Sequence, residues 1–283
     1  MILGMPDDQL TVAFPITITG IDQCFSFLSK CGSLRALMVM LYNKQFLHAI
    51  SKLKHLRHLD LSRSLIVELP NSICDLWNLQ ILNLNDCLIL WSLPKGMKFL
   101  RNLRHLCLHG CWSLTHMPSG IGKLTCLRTL GMVVPSGKKG FRLSELRDLN
   151  MLKGWLTIMH LERIEDKKDA EEACLIKNQS LRGLNLYWDS ELYWDSERTI
   201  QWYNDKEVLE ALKPCPNLQL LRVLGFNGSS FPSWISTVTE VAVKESAAEY
   251  IVGARESTAA AAAMSPSLKQ LELMNMPNLK GAC

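Results

Sequence analysis

Three segments of the chain repeat the same leucine spacing with little change, and this repeat constrains the fold more than any other feature of the sequence. Each copy places leucine at its first, fourth, seventh and ninth positions, and the copies begin at Leu53, Leu76 and Leu100. A fourth copy begins at Leu124, so the period is 23 to 24 residues. Self-similarity at such a period is typical of proteins in which one small structural unit stacks on the next. The chain is therefore predicted to be a repeat array.

The two halves of each copy predict a short strand and a return segment. In Leu59-Asp60-Leu61 the leucines alternate with a polar residue, so they should face the core while the residue between them faces away. A proline in the second half, at Pro70, Pro94 and Pro118, suits a return segment because it has no N–H to donate. One coil buries little apolar surface by itself, so neighbouring coils must stack. The predicted fold is an α/β solenoid of about ten coils, a leucine-rich-repeat horseshoe with a parallel concave β-sheet and an irregular or short-helical convex side.

The regularity of the repeat divides the chain into four segments. Residues 1–30 are expected to form an irregular N-terminal edge segment. It includes a strand of alternating apolar residues from Val12 to Ile18, which Pro15 confines to a sheet edge or to an outward-facing position. Residues 31–235 are expected to form the leucine-rich-repeat domain. The frame is lost over residues 236–265, which we expect to be a disrupted, alanine-rich insertion. Residues 266–283 resume the frame as a truncated final repeat.

Composition and charge argue against several classes of protein. Hydrophobic residues make up 48% of the 283, which excludes global disorder. The 31 basic and 27 acidic residues give a formal charge of +4, too mild to indicate nucleic acid or an anionic membrane. No signal-peptide pattern is visible near Met1, so we expect none, and no apolar run reaches the ~18 residues of a membrane helix. We expect a cytoplasmic protein, with nuclear access as an alternative, no nucleic-acid partner and no membrane span.

The ten cysteines are spread along the chain without a close CxxC pair. Two of them, Cys87 and Cys111, occupy the repeat position at which asparagine is the alternative, a buried turn where a thiol can act as a small weak donor. The cysteines are therefore expected to be reduced structural thiols.

No group of residues indicates catalysis or a cofactor. The segment from Gly120 to Thr125 resembles a phosphate-binding loop, but position 117 is Met and Leu124 separates the lysine from Thr125. His105 and His109 lie four residues apart on a strand, roughly 13 Å, which is too far to share a metal ion. We expect no enzyme activity, no cofactor and no metal.

Strand alternation predicts a candidate partner-binding face, made of the side chains that point away from the leucine core. Such side chains can vary without disturbing the leucine frame, which is typical of selective binding to a macromolecule rather than of turnover. The candidate residues are His58, Asp60, Ser62, Arg63, Ile81, Asn83, Asn85, His105, Cys107 and His109.

Several motifs resemble plant intracellular disease-resistance receptors of the nucleotide-binding leucine-rich-repeat type, in their coiled-coil class. They include Leu56-Arg-His-Leu-Asp-Leu-Ser62, Val208-Leu-Glu-Ala-Leu-Lys-Pro214 and Phe231-Pro-Ser-Trp234. The resemblance covers residues 30–235 and 266–281 and implies a repeat domain that senses pathogen effectors or restrains a nucleotide-binding switch. The implied protein partner is a pathogen effector, a host guardee or the nucleotide-binding domain of a receptor.

The sequence contains neither a coiled coil nor a phosphate-loop domain, so the resemblance applies to the repeat portion only. The chain is expected to be a repeat-domain fragment, a truncated paralogue or the product of an incomplete gene model. The alternative function is that of a nonfunctional or purely regulatory remnant without signalling activity.

Overall fold

One strand recurs in each repeat and pairs with the strand of the neighbouring coil. The computed structural model describes residues 11–14, 32–41, 45–164, 166–188, 205–236, 249–252, 268 and 270–276. The first of its two sheets runs in chain order and is parallel throughout. Its strands are β1 (Thr11–Phe14), β2 (Ala36–Val39), β3 (His58–Asp60), β4 (Ile81–Asn83), β5 (His105–Cys107) and β6 (Thr129–Leu130). The edge position predicted for the first strand is confirmed for residues 11–14, and its continuation to Ile18 lies outside the described residues.

The leucine frame sets the register of this sheet. Leu37, Leu59, Leu82, Leu106 and Leu130 are aligned from strand to strand, and each is at most 1% exposed. The remaining frame leucines from Leu53 to Leu127 are buried as well. The inward stacking of the leucines that the period predicts is therefore confirmed.

Short helices carry the chain back from one strand to the next. The first sheet's returns are the α-helix Gln45–Ile50 and the 3₁₀ helices Asn71–Asp75, Lys95–Phe99 and Ile121–Lys123. Pro70 and Pro94 precede two of them with φ near −70°, a value that the proline ring imposes. Gly120 holds the same place in the third at φ 91°, in the left-handed region that glycine tolerates. The predicted short-helical side of the solenoid is confirmed.

In two successive coils, those of β4 and β5, a buried thiol just after the strand bonds to the preceding coil. The Cys87 thiol donates to the Leu61 carbonyl at 3.2 Å, and the Cys111 thiol donates to the Leu84 carbonyl at 3.0 Å. Burial raises the pKa of Cys87 to about 11 and that of Cys111 to about 12, so both thiols keep the proton that they donate. The seven cysteines among the described residues are free.

An asparagine side chain makes a second bond between coils, at the corner before the strand. Asn78 Nδ2 donates to the Lys54 carbonyl at 2.9 Å, and Asn102 Nδ2 donates to the Trp77 carbonyl at 2.8 Å. Both bonds satisfy a backbone carbonyl that the turn leaves outside the sheet ladder. The coils that contain β4 and β5 are thus each tied to the preceding coil at both ends of the strand.

Three strand pairs of the second sheet are parallel, and the pair at one edge is antiparallel. Its order is β11 (Glu249–Val252), β12 (Gln270–Met274), β10 (Leu220–Leu224), β9 (Leu181–Tyr187), β8 (Gly154–Ile158) and β7 (Met132–Val133). β11 pairs with β12 in the antiparallel direction, although we expected parallel strands only. β11 belongs to the segment in which the leucine repeat is lost. An antiparallel strand can pair after a simple reversal of the chain, whereas a parallel strand needs a complete coil before it.

The core of the second sheet repeats the arrangement of the first. Leu156, Leu184, Leu221 and Leu271 are aligned across four strands and are at most 1% exposed. The returns on this side are Leu143–Asp148, Leu161–Arg163, Lys167–Glu172, Leu175–Lys177, Asp205–Ala211 and Ser233–Ser236.

The described residues fall into two compact units. One comprises the chain up to Met132 with Lys138–Phe141, and the other comprises Val133–Gly137 with the chain from Arg142 onward. The first sheet, with all ten candidate residues, belongs to the first unit.

Candidate functional site

The candidate site is the open face of the first sheet, which is the side opposite the leucine core. Strands in a sheet lie about 4.8 Å apart, so the side chains of one column follow each other at that spacing. The register produces two such columns across this face. One contains Ala36, His58, Ile81, His105 and Thr129, and the other contains Met38, Asp60, Asn83 and Cys107.

Asp60 does not project freely, as strand alternation predicted, but is only 7% exposed. Its carboxylate accepts hydrogen bonds from Ser62 N and Asn83 Nδ2, both at 2.9 Å. The reason is local: the chain turns directly after the strand and brings its own backbone N–H to the carboxylate, while the next coil supplies the amide. We infer that Asp60 organises the face rather than contacts a partner.

The asparagines of this face also bond within the protein. Asn83 Oδ1 accepts from Asn85 N at 3.1 Å, and Asn85 Oδ1 accepts from His109 N at 2.9 Å. Together with Asp60 they form a chain of side-chain bonds across three coils. This chain holds the turns after the strands in place, which makes the face a preformed surface.

The structure brings the ten candidate residues together on β3, β4, β5 and the turns that follow these strands. Arg63 and His109 are exposed, and Arg63 lies 3.8 Å from the Asp86 carboxylate. The remaining candidates besides Asp60 are half-buried: His58, Ser62, Ile81, Asn83, Asn85, His105 and Cys107.

His105 is the titratable group at the centre of the face. Its Nδ1 lies 3.0 Å from Thr129 Oγ1 on the next strand. Burial, and then the positive charges of Arg128 and Arg104, hold the pKa of His105 below its ordinary value of 6.5. The ring is therefore uncharged at neutral pH and offers hydrogen bonds rather than a charge.

A set of large exposed apolar side chains borders this face after the strands, and the sequence analysis did not identify it. We call it the apolar border. The turns that carry it are joined by backbone bonds, such as Trp91 N to the Val67 carbonyl at 2.7 Å. Its side chains are 43% to 57% exposed, and they are Leu65, Val67, Leu88, Ile89, Trp91 and Trp112.

A repeated sequence offset could have located part of the apolar border. Leu65, Leu88 and Trp112 each come directly after the buried turn position, at Ser64, Cys87 and Cys111. Histidines pack against its tryptophans: the Trp91 and His116 ring centres lie 5.7 Å apart, and those of Trp112 and His109 lie 6.4 Å apart. Exposed apolar patches of this kind mark interaction sites on soluble proteins.

Among the residues that the structure describes, no three or more His, Cys, Asp or Glu side chains are grouped as metal ligands would be. No helix in that part of the chain combines the length and apolar character needed to cross a bilayer.

Comparison with known proteins agrees with this architecture. A family model described as a leucine-rich repeat region matches residues 15–243. The disease resistance protein RGA2 of Solanum bulbocastanum is 43% identical over 115 residues, which are 41% of this chain and 11% of that protein. The disease resistance RPP13-like protein 1 of Arabidopsis thaliana is 40% identical over 189 residues, 65% of this chain and 18% of that protein. The chain thus spans less than a fifth of the length of either relative.

A solved leucine-rich-repeat protein of Leptospira interrogans aligns with 80% of this chain and 45% of its own, at a TM-score of 0.35 and 20% identity. The family model spans most of the chain, and its bounds contain every strand of the first sheet from β2 to β6. The chain belongs to the leucine-rich-repeat family and is a repeat portion of the plant disease-resistance type.

Proposed function

We propose that this protein is a recognition module of a plant immune receptor, which binds a protein partner through the open face of the first sheet and the apolar border. It acts by binding, without catalysis of its own. The observation that carries the proposal is the apolar border, since six large apolar side chains are exposed together beside a preformed polar face.

The composition of this surface fits a protein partner. Stable protein interfaces place aromatic and large apolar anchors beside polar groups, and tryptophan is enriched among the residues that dominate binding energy. Trp91 and Trp112 are 52% and 53% exposed in the isolated chain, so a partner that covers them would bury much apolar surface.

The similarity to disease-resistance proteins supports three kinds of partner. They are a pathogen effector, a host protein guarded by the receptor, and the nucleotide-binding domain of a receptor. We propose the cytoplasm as the site of action, with access to the nucleus as an alternative.

The test compares two double variants of the full chain. Trp91→Ser with Trp112→Ser removes two anchors of the apolar border, whereas the control, Trp77→Ser with Trp155→Ser, removes two tryptophans of similar exposure that lie elsewhere. Each protein is expressed in plant cells, cross-linked and isolated, and bound proteins are quantified by mass spectrometry. Thermal melts establish that every variant is folded.

We expect the border variant to recover at least about tenfold less of a partner that the control still recovers, because the substituted tryptophans lie in the contact. Equal recovery with all three proteins would contradict the proposed face. Absence of any face-dependent partner would favour the alternative, a regulatory or nonfunctional remnant.

A further inference from the structure

A row of arginines lines the other border of the first sheet, where each strand begins. Arg35, Arg57, Gln80, Arg104 and Arg128 each stand one residue before a strand. Backbone bonds connect them in order: Arg57 N to the Arg35 carbonyl at 2.7 Å, Gln80 N to Arg57 at 2.7 Å, Arg104 N to Gln80 at 2.8 Å and Arg128 N to Arg104 at 2.7 Å. Four of five successive coils thus carry an arginine at the same position of the repeat. We call these four residues the arginine row.

The arginine row is exposed to solvent. All four arginines are more than about a third exposed, while Gln80 is half-buried. None of the ion pairs found within the described residues includes Arg57, Arg104 or Arg128. At about 4.8 Å per coil, the row extends over about 19 Å.

The acidic residues of this part of the chain are few and lie outside the arginine row. Between residues 45 and 132 they are Asp60, Glu68, Asp75 and Asp86 only. Asp75 lies 3.9 Å from Lys54, Asp86 lies 3.8 Å from Arg63, and Asp60 is buried in its own network. Glu68 lies in the turns that follow the strands, where its backbone bridges to that of Ser92. The weak net charge of the whole chain therefore conceals a local excess of positive charge.

Like charges in adjacent coils repel each other, and the effect reaches the open face. Burial lowers the pKa of His105 on that face, and the charges of Arg128 and Arg104 lower it further. A partner that carries negative charges at matching intervals would relieve this repulsion. An extended peptide advances about 3.3 Å per residue, so about six residues would match the length of the row.

We propose that the arginine row binds an acidic, extended segment of the protein partner. This inference rests on the proposed function and specifies the chemistry of the partner. Guanidinium groups suit such a segment because each can donate two parallel hydrogen bonds to one carboxylate. A single-stranded nucleic acid is the less favoured occupant, since no aromatic side chain is interleaved with the row for bases to stack on.

The test uses the full chain and a fluorescent oligo-glutamate peptide of about ten residues, long enough to cover the row. The test variant carries Arg57→Glu, Arg104→Glu and Arg128→Glu. The matched control carries Lys52→Glu, Lys95→Glu and Lys123→Glu, three exposed residues outside the row that change the net charge equally. Fluorescence anisotropy measures binding at several salt concentrations, with oligo-lysine and a single-stranded oligonucleotide as comparison ligands.

We expect the parent chain and the control to bind oligo-glutamate, with affinity that falls as salt increases, and the row variant to bind at least about tenfold more weakly. Arg→Gln changes at the same three positions, which remove charge without reversing it, should give an intermediate loss. Melting curves of the variants establish that the weaker binding is not caused by unfolding.

Equal losses in the row variant and the control would overturn the proposal, because only net charge would then matter. Tighter binding of the oligonucleotide than of oligo-glutamate would assign the row to nucleic acid instead. If oligo-glutamate fails to bind while the apolar border still captures its partner, the inference fails and the proposed function stands.

Discussion

At the residue scale, one step along a strand separates the leucine core from the open face of the sheet. Leu82 is fully buried, whereas its neighbours Ile81 and Asn83 are half-buried on the open face. Asn83 is nevertheless no passive surface residue, since its amide both donates to Asp60 and accepts from Asn85. The contribution of each residue to stability therefore depends on its burial and hydrogen bonds, and not on its position in the repeat alone.

Leu82→Ala should therefore lower the free energy of unfolding by about 2–5 kcal/mol, because it removes buried methyl groups and leaves a cavity. Asn83→Ala should cost less, about 1 kcal/mol, through its lost bonds. Ile81→Ala on the same strand serves as an apolar control on the open face. Urea denaturation measures all three, and equal losses for Leu82→Ala and Ile81→Ala would refute the assigned faces.

At the scale of elements, a glycine determines how two strands of the second sheet share their open face. Gly183 on β9 is paired with Trp155 on β8, and a Cβ at position 183 would overlap the Trp155 ring. The indole therefore lies across the neighbouring strand, over the space that the missing side chain leaves. Trp155 remains 52% exposed, so this aromatic platform is part of the surface.

Gly183→Ala should destabilise the parent chain by about 1–3 kcal/mol, because the added methyl must displace the indole. In a Trp155→Ala background the same change should be neutral or stabilising, since alanine restricts the unfolded chain more than glycine does. A double-mutant cycle from denaturant unfolding measures this coupling. If the two changes are additive, the indole does not depend on the glycine.

At the scale of the whole molecule, stability is expected to be local. Each of the two compact units has its own aligned row of buried leucines, and the bonds between coils join neighbours along the chain. In such arrays stability is approximately a sum over coils and their adjacent interfaces. A weakened coil should loosen its own surroundings first.

Hydrogen exchange read by mass spectrometry should show this locality. Leu82→Ala is expected to speed exchange mainly in the peptides of the first unit, and Leu184→Ala mainly in those of the second, because each change removes buried surface from one sheet. The two variants are each other's control. A uniform increase across both units would instead mean that the chain unfolds as one cooperative body.

A feature of the fold or of the candidate site could be predicted from the sequence only where it recurs with the repeat period. The buried leucines, the parallel register and the thiols at Cys87 and Cys111 follow from recurrence every two dozen residues. The burial of Asp60 does not, because alternation says which way a side chain points and not which backbone N–H will turn toward it. β11 lies where the frame is lost, so no periodic rule applied to it.

Some surface features recur with the repeat period, but the sequence pattern alone did not predict their role. The arginine row occupies one repeat position, as in Leu56-Arg57-His58 and Leu103-Arg104-His105, yet its significance appears only when the register stacks those positions. The exposure of Trp91 and Trp112 depends on the path of the turns, which the leucine pattern leaves open.

The bonds from Asn78 and Cys87 to carbonyls of the coil before them have an evolutionary consequence. Because matching donors recur in the next coil, as Asn102 and Cys111, unequal recombination that adds or removes one such copy leaves the scaffold matched at the junction. Every later surface residue is then displaced by one position in the stack. A single genetic event could thus change the pattern of exposed side chains along the stack without a new fold.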